Sequence, residues 1–274
     1  MRELYPRIRV EREGGVTTVT LDSPEVKNAC SGDMWVALGQ IFRDASYDGT
    51  RCILLTGAGG NFCAGADLSG ASGGLGGGGG VGAGEPAPGN SSNLHGMRVL
   101  GETVLAIHNT PVPVVAKVDG ICVGAGLGLA LSADVTYCSD RARFSAIFAK
   151  RGLSLDFGTS WLLRQRLPVH KAKELALTAK MVSGPEAFEL GFVNGVFAAD
   201  ELDARVDEVL QTIAGGPPLA LSMSKREIDN AADIPLAAAL EAEATAQGVN
   251  VNTADMKEAF MSFFEKRTPD FQGG

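Results

Sequence analysis

Two runs rich in β-branched residues, Ile8–Glu13 and Val16–Leu21, flank Gly14-Gly15, and this pattern predicts a hairpin at the start of the chain. After Pro24 the period changes. Met34, Leu38, Ile41 and Phe42 recur at helical spacing, which predicts a helix from Ser31 to about Ala45 with Ser31 as its N-cap. Cys52–Thr56 reads as a short buried strand, and Val112–Val118 and Val135–Cys138 repeat that form. Helical segments alternate with them, the pattern of βαβ units stacked into a mostly parallel sheet. From Pro168 onward the pattern is helical. Pro185–Leu190, Glu201–Ile213, Pro218–Ala231, Leu236–Ala246 and Ala254–Lys266 carry apolar residues at three and four spacing, separated by Gly, Pro or polar breaks. The reading is an α/β core over 1–200 followed by a helical region over 201–274.

One stretch fits neither period. Residues 69–90, SGASGGLGGGGGVGAGEPAPGN, hold too much glycine for a packed element, because ordering them would cost a large chain entropy. They read as a mobile surface loop, either a lid over a site or an inert insertion.

At 274 residues the chain can bury a sizeable core. Its net charge of -8, with no Lys/Arg cluster, argues against a nucleic-acid partner, which needs a concentrated basic surface. The N-terminus MRELYPRIRVERE lacks a signal peptide's apolar segment, and no apolar run reaches the ~18 residues of a membrane span, so no membrane association and a cytoplasmic location are expected. Cys30, Cys52, Cys63, Cys122 and Cys138 are odd in number and never spaced as CxxC, which suggests buried thiols rather than disulfides or a zinc site.

Among possible chemical motifs, Gly70-Ala71-Ser72-Gly73-Gly74 matches the G-x-S-x-G elbow of serine hydrolases, with Asp156 and His170 in the appropriate order, but it lies inside low-complexity glycine. Gly124-Ala125-Gly126-Leu127-Gly128 resembles a dinucleotide fingerprint whose third glycine comes one residue early and whose acidic partner is missing. No G-K-[ST] is present. What remains is a pair of glycine-bearing turns after apolar strands, residues 61–68 (NFCAGADL) and 119–126 (DGICVGAG). Residues Leu127–Ala133 form helix readily, so Ala125 is expected at a helix N-terminus, where backbone dipoles favour developing negative charge. Two such turns could each aim an N–H into one pocket as an oxyanion hole, or could simply be tight turns that let elements pack.

Taken together, FCAGADL, DGICVGAGLGLAL, RGLSLDFGTSWLLRQRL and the terminal FFEKRTPDF are similar, in order and spacing, to the signatures of the crotonase (enoyl-CoA hydratase/isomerase) superfamily, and the likeness spans nearly the whole chain. The run FSAIFAKRGLSLDFGTSWLL most resembles the epoxyphenylacetyl-CoA isomerases. The resemblance implies a crotonase-like spiral of ββα units with a helical, trimer-forming C-terminal region, a homotrimer or dimer of trimers, and acyl-CoA thioester substrates. It implies oxyanion-hole donors at Ala66 and Ala125. It places coenzyme A contacts at Lys27 and Ala29, at Ala64, Asp67 and Leu68, and at Phe263 and Lys266, the last two often lent by a neighbouring subunit.

This sequence also departs from the family pattern. The hydratases' two glutamates correspond to Gly128 and Phe148, neither of which can move a proton; Phe148 is left as a pocket-lining residue. Asp156 matches the aspartate of dienoyl-CoA and epoxyphenylacetyl-CoA isomerases, and Trp161, a turn away, is expected to contribute to an apolar pocket that raises its pKa. Asp156 could equally be the N-cap of a helix beginning near Thr159. The expected reaction is isomerisation through an enolate with Asp156 as proton shuttle and no metal or separate cofactor. Hydratase-like or thioester-hydrolysing activity through Asp156-activated water, and non-catalytic acyl-CoA binding, stay open. The three histidines, His95, His108 and His170, read as surface or packing residues.

Overall fold

The computed structural model describes Tyr5, residues 7–68 and residues 93–274; the glycine-rich stretch 69–90 falls outside the described residues. The hairpin forms as the β-branched runs demand: β1 (Ile8–Glu13) and β2 (Val16–Leu21) pair antiparallel, from Ile8 opposite Leu21 to Glu13 opposite Val16. Gly14 and Gly15 take φ of +56° and +80°, a left-handed turn that suits glycine. Helix α1 (Gly32–Asp44) buries the side predicted from its period, including Met34, Leu38, Ile41 and Phe42.

The remaining strands of this sheet are parallel. β3 (Cys52–Gly57), β4 (Val114–Val118), β6 (Val135–Ser139) and β9 (Gly195–Phe197) extend it in the order β1-β2-β3-β4-β6-β9. A smaller sheet, β5-β7-β8, is built from β5 (Ile121–Val123), β7 (Arg143–Ser145) and β8 (Val182–Ser183). The chain alternates between the two. β4 passes after two residues into β5 and then α3 (Ala125–Leu131), and β6 passes into β7 and a 3-10 turn at Ile147–Arg151. The bridges Cys63 to Cys122 and Cys30 to Ala66 continue the smaller layer through the earlier turns. The result is a spiral of strand, short strand and helix, the expected α/β architecture.

One core lies between the layers, with α1, α3 and α4 (Thr159–Arg166) packed into it. The sheet's other face is covered by α7 (Leu202–Ala214), whose Leu202, Val206, Leu210 and Ala214 meet Val16, Cys52, Leu54 and Val115. Thus α7 packs with the sheet, and the helices that bury little begin at Pro218: α8 (Pro218–Ala231), α9 (Leu236–Asn250) and α10 (Ala254–Glu265). Helices α2 (Asn93–Asn109), α5 (Val169–Thr178) and α6 (Gly184–Leu190) complete the set among the described residues.

Candidate active site

Two turns are zipped together at the mouth of the smaller sheet. Phe62 and Cys63 both donate to the Ile121 carbonyl, at 3.0 and 2.9 Å, and Val123 donates to the Cys63 carbonyl at 3.0 Å. The approach depends on glycine. A Cβ on Gly126 would lie 2.4 Å from the Cys63 oxygen, and one on Gly65, at φ +93°, would lie 3.0 Å from the Val123 oxygen and 3.4 Å from the Ala125 nitrogen. Residues Gly65 and Ala125 are thereby neighbours in space.

The N–H groups of Ala66 and Ala125 have no acceptor among the described residues, although their neighbours are bonded: Asp67 donates to Cys30 at 2.9 Å and Gly124 to Ser145 at 3.0 Å. Ala125 is the first residue of α3 and carries one of the donors every helix start leaves unpaired. Two adjacent, unengaged N–H groups, one on a helix dipole's positive end, are suited to a developing oxyanion.

A third turn braces this pair. Ala64 donates to the Lys27 carbonyl at 3.0 Å and Cys30 to the Gly65 carbonyl at 2.8 Å, so the coenzyme A positions expected at Lys27, Ala29, Ala64, Asp67 and Leu68 are brought side by side. The hub is Asn28, missed by the sequence reading. Fully buried at φ +56°, it accepts from the Ser23 N–H and donates to the Ala58 and Asn61 carbonyls. Its signal was weak: asparagine tolerates left-handed backbone, but VKNA alone does not say that the side chain points inward.

Asp156 precedes α4. The helix is capped by Gly158, at φ +71° and without a side-chain cap bond, so Asp156 is not its N-cap. Its backbone carbonyl accepts from the Thr159 N–H at 2.9 Å, while its Oδ1 is buried with no hydrogen-bond partner among the described residues. Burial pushes its pKa up to about 6. The aromatic contact beside it is Trp35 against Phe157, with ring centroids 4.5 Å apart, rather than the expected Trp161. Trp161 packs edge-on against His108 and lines a separate cleft of about 530 Å³ containing the partly exposed Lys225–Asp134 ion pair; Ala66, Ala125 and Asp156 are not among its walls.

Helix α3 connects the donors to the carboxyl. One turn beyond Ala125, a Cβ on Gly128 would lie 2.5 Å from the Phe157 carbonyl oxygen and 2.8 Å from Thr159 Oγ1. No side chain fits at 128 while the Asp156 loop keeps this place. Phe148, the other position of interest, is buried in the 3-10 turn. Phe263 and Lys266 stand exposed at the end of α10, and this chain does not bring them against the turns by any hydrogen bond or ring contact among the described residues. All five cysteines are free and buried, and no three metal-ligating side chains converge among the described residues. No helix of the described residues is long and apolar enough to cross a membrane.

A family model described as enoyl-CoA hydratase/isomerase matches residues 11–274. Among curated relatives, 1,2-epoxyphenylacetyl-CoA isomerase of Escherichia coli is 32% identical over 262 residues, covering 95% of this chain and 96% of that protein. Short-chain-enoyl-CoA hydratase of Clostridium acetobutylicum is 31% identical over 264 residues, covering 94% of each. The crystal structure of an enoyl-CoA hydratase from Bacillus anthracis superposes with a TM-score of 0.88 at 28% identity, over 98% of this chain and all of that one (100%).

Proposed function

The chain belongs to the enoyl-CoA hydratase/isomerase family, and from that premise we propose that it isomerises an enoyl-CoA or ring-epoxide CoA thioester through an enolate. The thioester carbonyl would lie between the N–H groups of Ala66 and Ala125, which hold negative charge as the α-carbon loses a proton. Asp156 would take a proton from one carbon and return it at another, a role suited to a carboxyl with its pKa raised to about 6. Lys27, Ala29, Ala64, Asp67 and Leu68 would hold the coenzyme A moiety, with Phe148 as an acyl-side residue; Trp161, in its separate cleft, is left out of the site. Phe263 and Lys266 would act from a neighbouring protomer of a homotrimer or dimer of trimers. Coenzyme A enters as part of the substrate, and the proposed steps use no other cofactor.

The carrying observation is Asp156 Oδ1, buried without a partner among the described residues, in the loop whose next residue, Phe157, leaves no room for a side chain at Gly128, the hydratases' first glutamate position. A two-carboxylate hydration therefore lacks both of its groups at Gly128 and Phe148, and a single carboxyl suits proton transfer within the substrate. The hydratase named among the relatives keeps a second reading in view, in which Asp156 alone activates water. Product analysis in labelled water separates the two: isomerisation adds no oxygen to the product. Asp156→Asn is expected to lower turnover by roughly 10²–10⁴-fold with little change in thioester binding. The parent's kcat should fall below about pH 6, where the base becomes protonated. Parent-like turnover of the Asn variant would sink the mechanism.

A further inference from the structure

We propose that Phe157 is the positioning residue of this site: its left-handed backbone, pinned between the Trp35 ring and Gly128 of α3, holds the Asp156 carboxyl half-buried, with Oδ1 shielded from solvent and without a hydrogen-bond partner among the described residues. The proposal rests on the reading of Asp156 as proton shuttle.

Phe157 has φ +48°, a region that a bulky side chain enters only when its surroundings enforce it. The enforcing contacts surround it. On the side-chain side, the ring is almost fully buried and lies 4.5 Å from the equally buried Trp35 of α1, at an interplanar angle of 48°. On the backbone side, the carbonyl stands so close to Gly128 that a Cβ there would be 2.5 Å from the oxygen and 3.2 Å from the ring's Cδ1. Gly158 follows at φ +71°, and the Thr159 N–H closes on the Asp156 carbonyl at 2.9 Å. Two successive left-handed residues between Asp156 and α4 make the sharp turn that sends the carboxyl inward instead of along the helix start, where free N–H groups would have donated to it as a cap.

The consequence is an unsatisfied Oδ1, and three residues on, Thr159 Oγ1 is likewise buried without a partner among the described residues. A carboxyl with no constraint on its turn would move to water or to the helix N–H groups. Burial is the sole cause of the upward pKa shift of Asp156, so its proton affinity reports directly on whether the turn keeps it inside. Phe157 thus acts on the reaction through its neighbour.

The test is the titration of Asp156 itself, read by carbon NMR on full-length protein labelled at the aspartate carboxyl carbons, with Asp156→Asn assigning the signal. Phe157→Leu keeps an apolar filler but loses the stack on Trp35; Phe157→Gly also relaxes the strained backbone. Both are expected to lower the Asp156 midpoint from about 6 by roughly a unit or more, a tenfold loss of proton affinity. Both should also move the acidic limb of the kcat profile with it, while KM for the thioester changes little. A residue that merely fills the core would lower the melting temperature and leave the midpoint in place. A midpoint shift under ~0.5 unit in the folded Leu variant overturns the proposal, and that variant decides if the Gly variant does not fold. The underlying reading fails differently: parent-like turnover of Asp156→Asn would remove the proton shuttle without altering the titration in the Phe157 variants.

Discussion

An ionised carboxylate at Asp156 works against folding. Its pKa of about 6 in the folded chain lies above the ordinary 3.8, so between those values the folded chain holds a proton that the unfolded chain releases. Stability therefore falls as pH rises from about 4 to 6, and the deficit persists above that range. Asp156→Asn removes the deficit. Because the group is partly exposed, the effect is discounted to about 1 kcal/mol, or a rise in Tm of about 2–4 °C. Melting curves at pH 8 should show the Asn variant above the parent, and the difference should vanish near pH 3.5. A lower Tm for the variant at pH 8 would mean that Asp156 has a stabilising partner in solution. The same substitution is thus expected to raise stability and lower turnover, the opposition found where a site holds a group in unfavourable surroundings.

At the scale of elements, the β5–α3 junction decides whether two N–H groups can converge. Gly126 lies within the first turn of α3, where its α-carbon faces Cys63; alanine there would overlap the Cys63 oxygen and Cβ. Gly126→Ala is expected to lower unfolding free energy by about 1–3 kcal/mol, and thioester binding with it, because the zipped turns must separate. Gly101→Ala on α2 is the control. Nothing lies within 4 Å of its added Cβ, and helix propensity predicts a gain of up to about 1 kcal/mol. Denaturant unfolding of both variants checks this, and equal effects would show that close approach is not what Gly126 provides.

These elements were unevenly legible. The hairpin, α1, β3, β6 and the helices after residue 200 follow from apolar periodicity and appear within a few residues of their expected bounds. The three-residue β5, β7 and β9 and the two-residue β8 carry too few positions to show a period, and α2 follows the glycine-rich stretch that obscured its start. In the site, glycine spacing marked the two turns. The Trp35–Phe157 contact joins residues 122 positions apart, and Gly128 reads as one more helix glycine until Phe157 is placed against it. Trp161, one helical turn from Asp156 in sequence, faces His108 because the buried side of α4 is taken by Thr159, Leu162 and Leu163.

The whole molecule carries a surface that the isolated chain does not use. α8 and α9 bury no residue, and α10 buries only the polar Asp255 and Ser262. Leu236 and Ile228 are each 75% exposed, and Phe263 and Phe264, in edge-on contact with each other, are 77% and 76% exposed. Apolar side chains this exposed on three consecutive helices mark an interaction face, since monomeric proteins rarely leave a large contiguous apolar patch in water. The proposed homotrimer or dimer of trimers, with α10 of one protomer reaching the site of another, would cover this face. Phe263→Asp with Phe264→Asp places two carboxylates on that face, where like charges from symmetry-related copies would be buried together. Sedimentation of the parent at micromolar concentration should give a trimer or hexamer, and the double variant should dissociate to smaller species with an intact far-UV spectrum. Its thioester KM should rise by about tenfold or more if the aromatic end of α10 completes a neighbouring site, a loss of roughly 1.4 kcal/mol of binding. A parent that sediments as a monomer, yet turns over substrate at that concentration, would show that one chain holds the complete site.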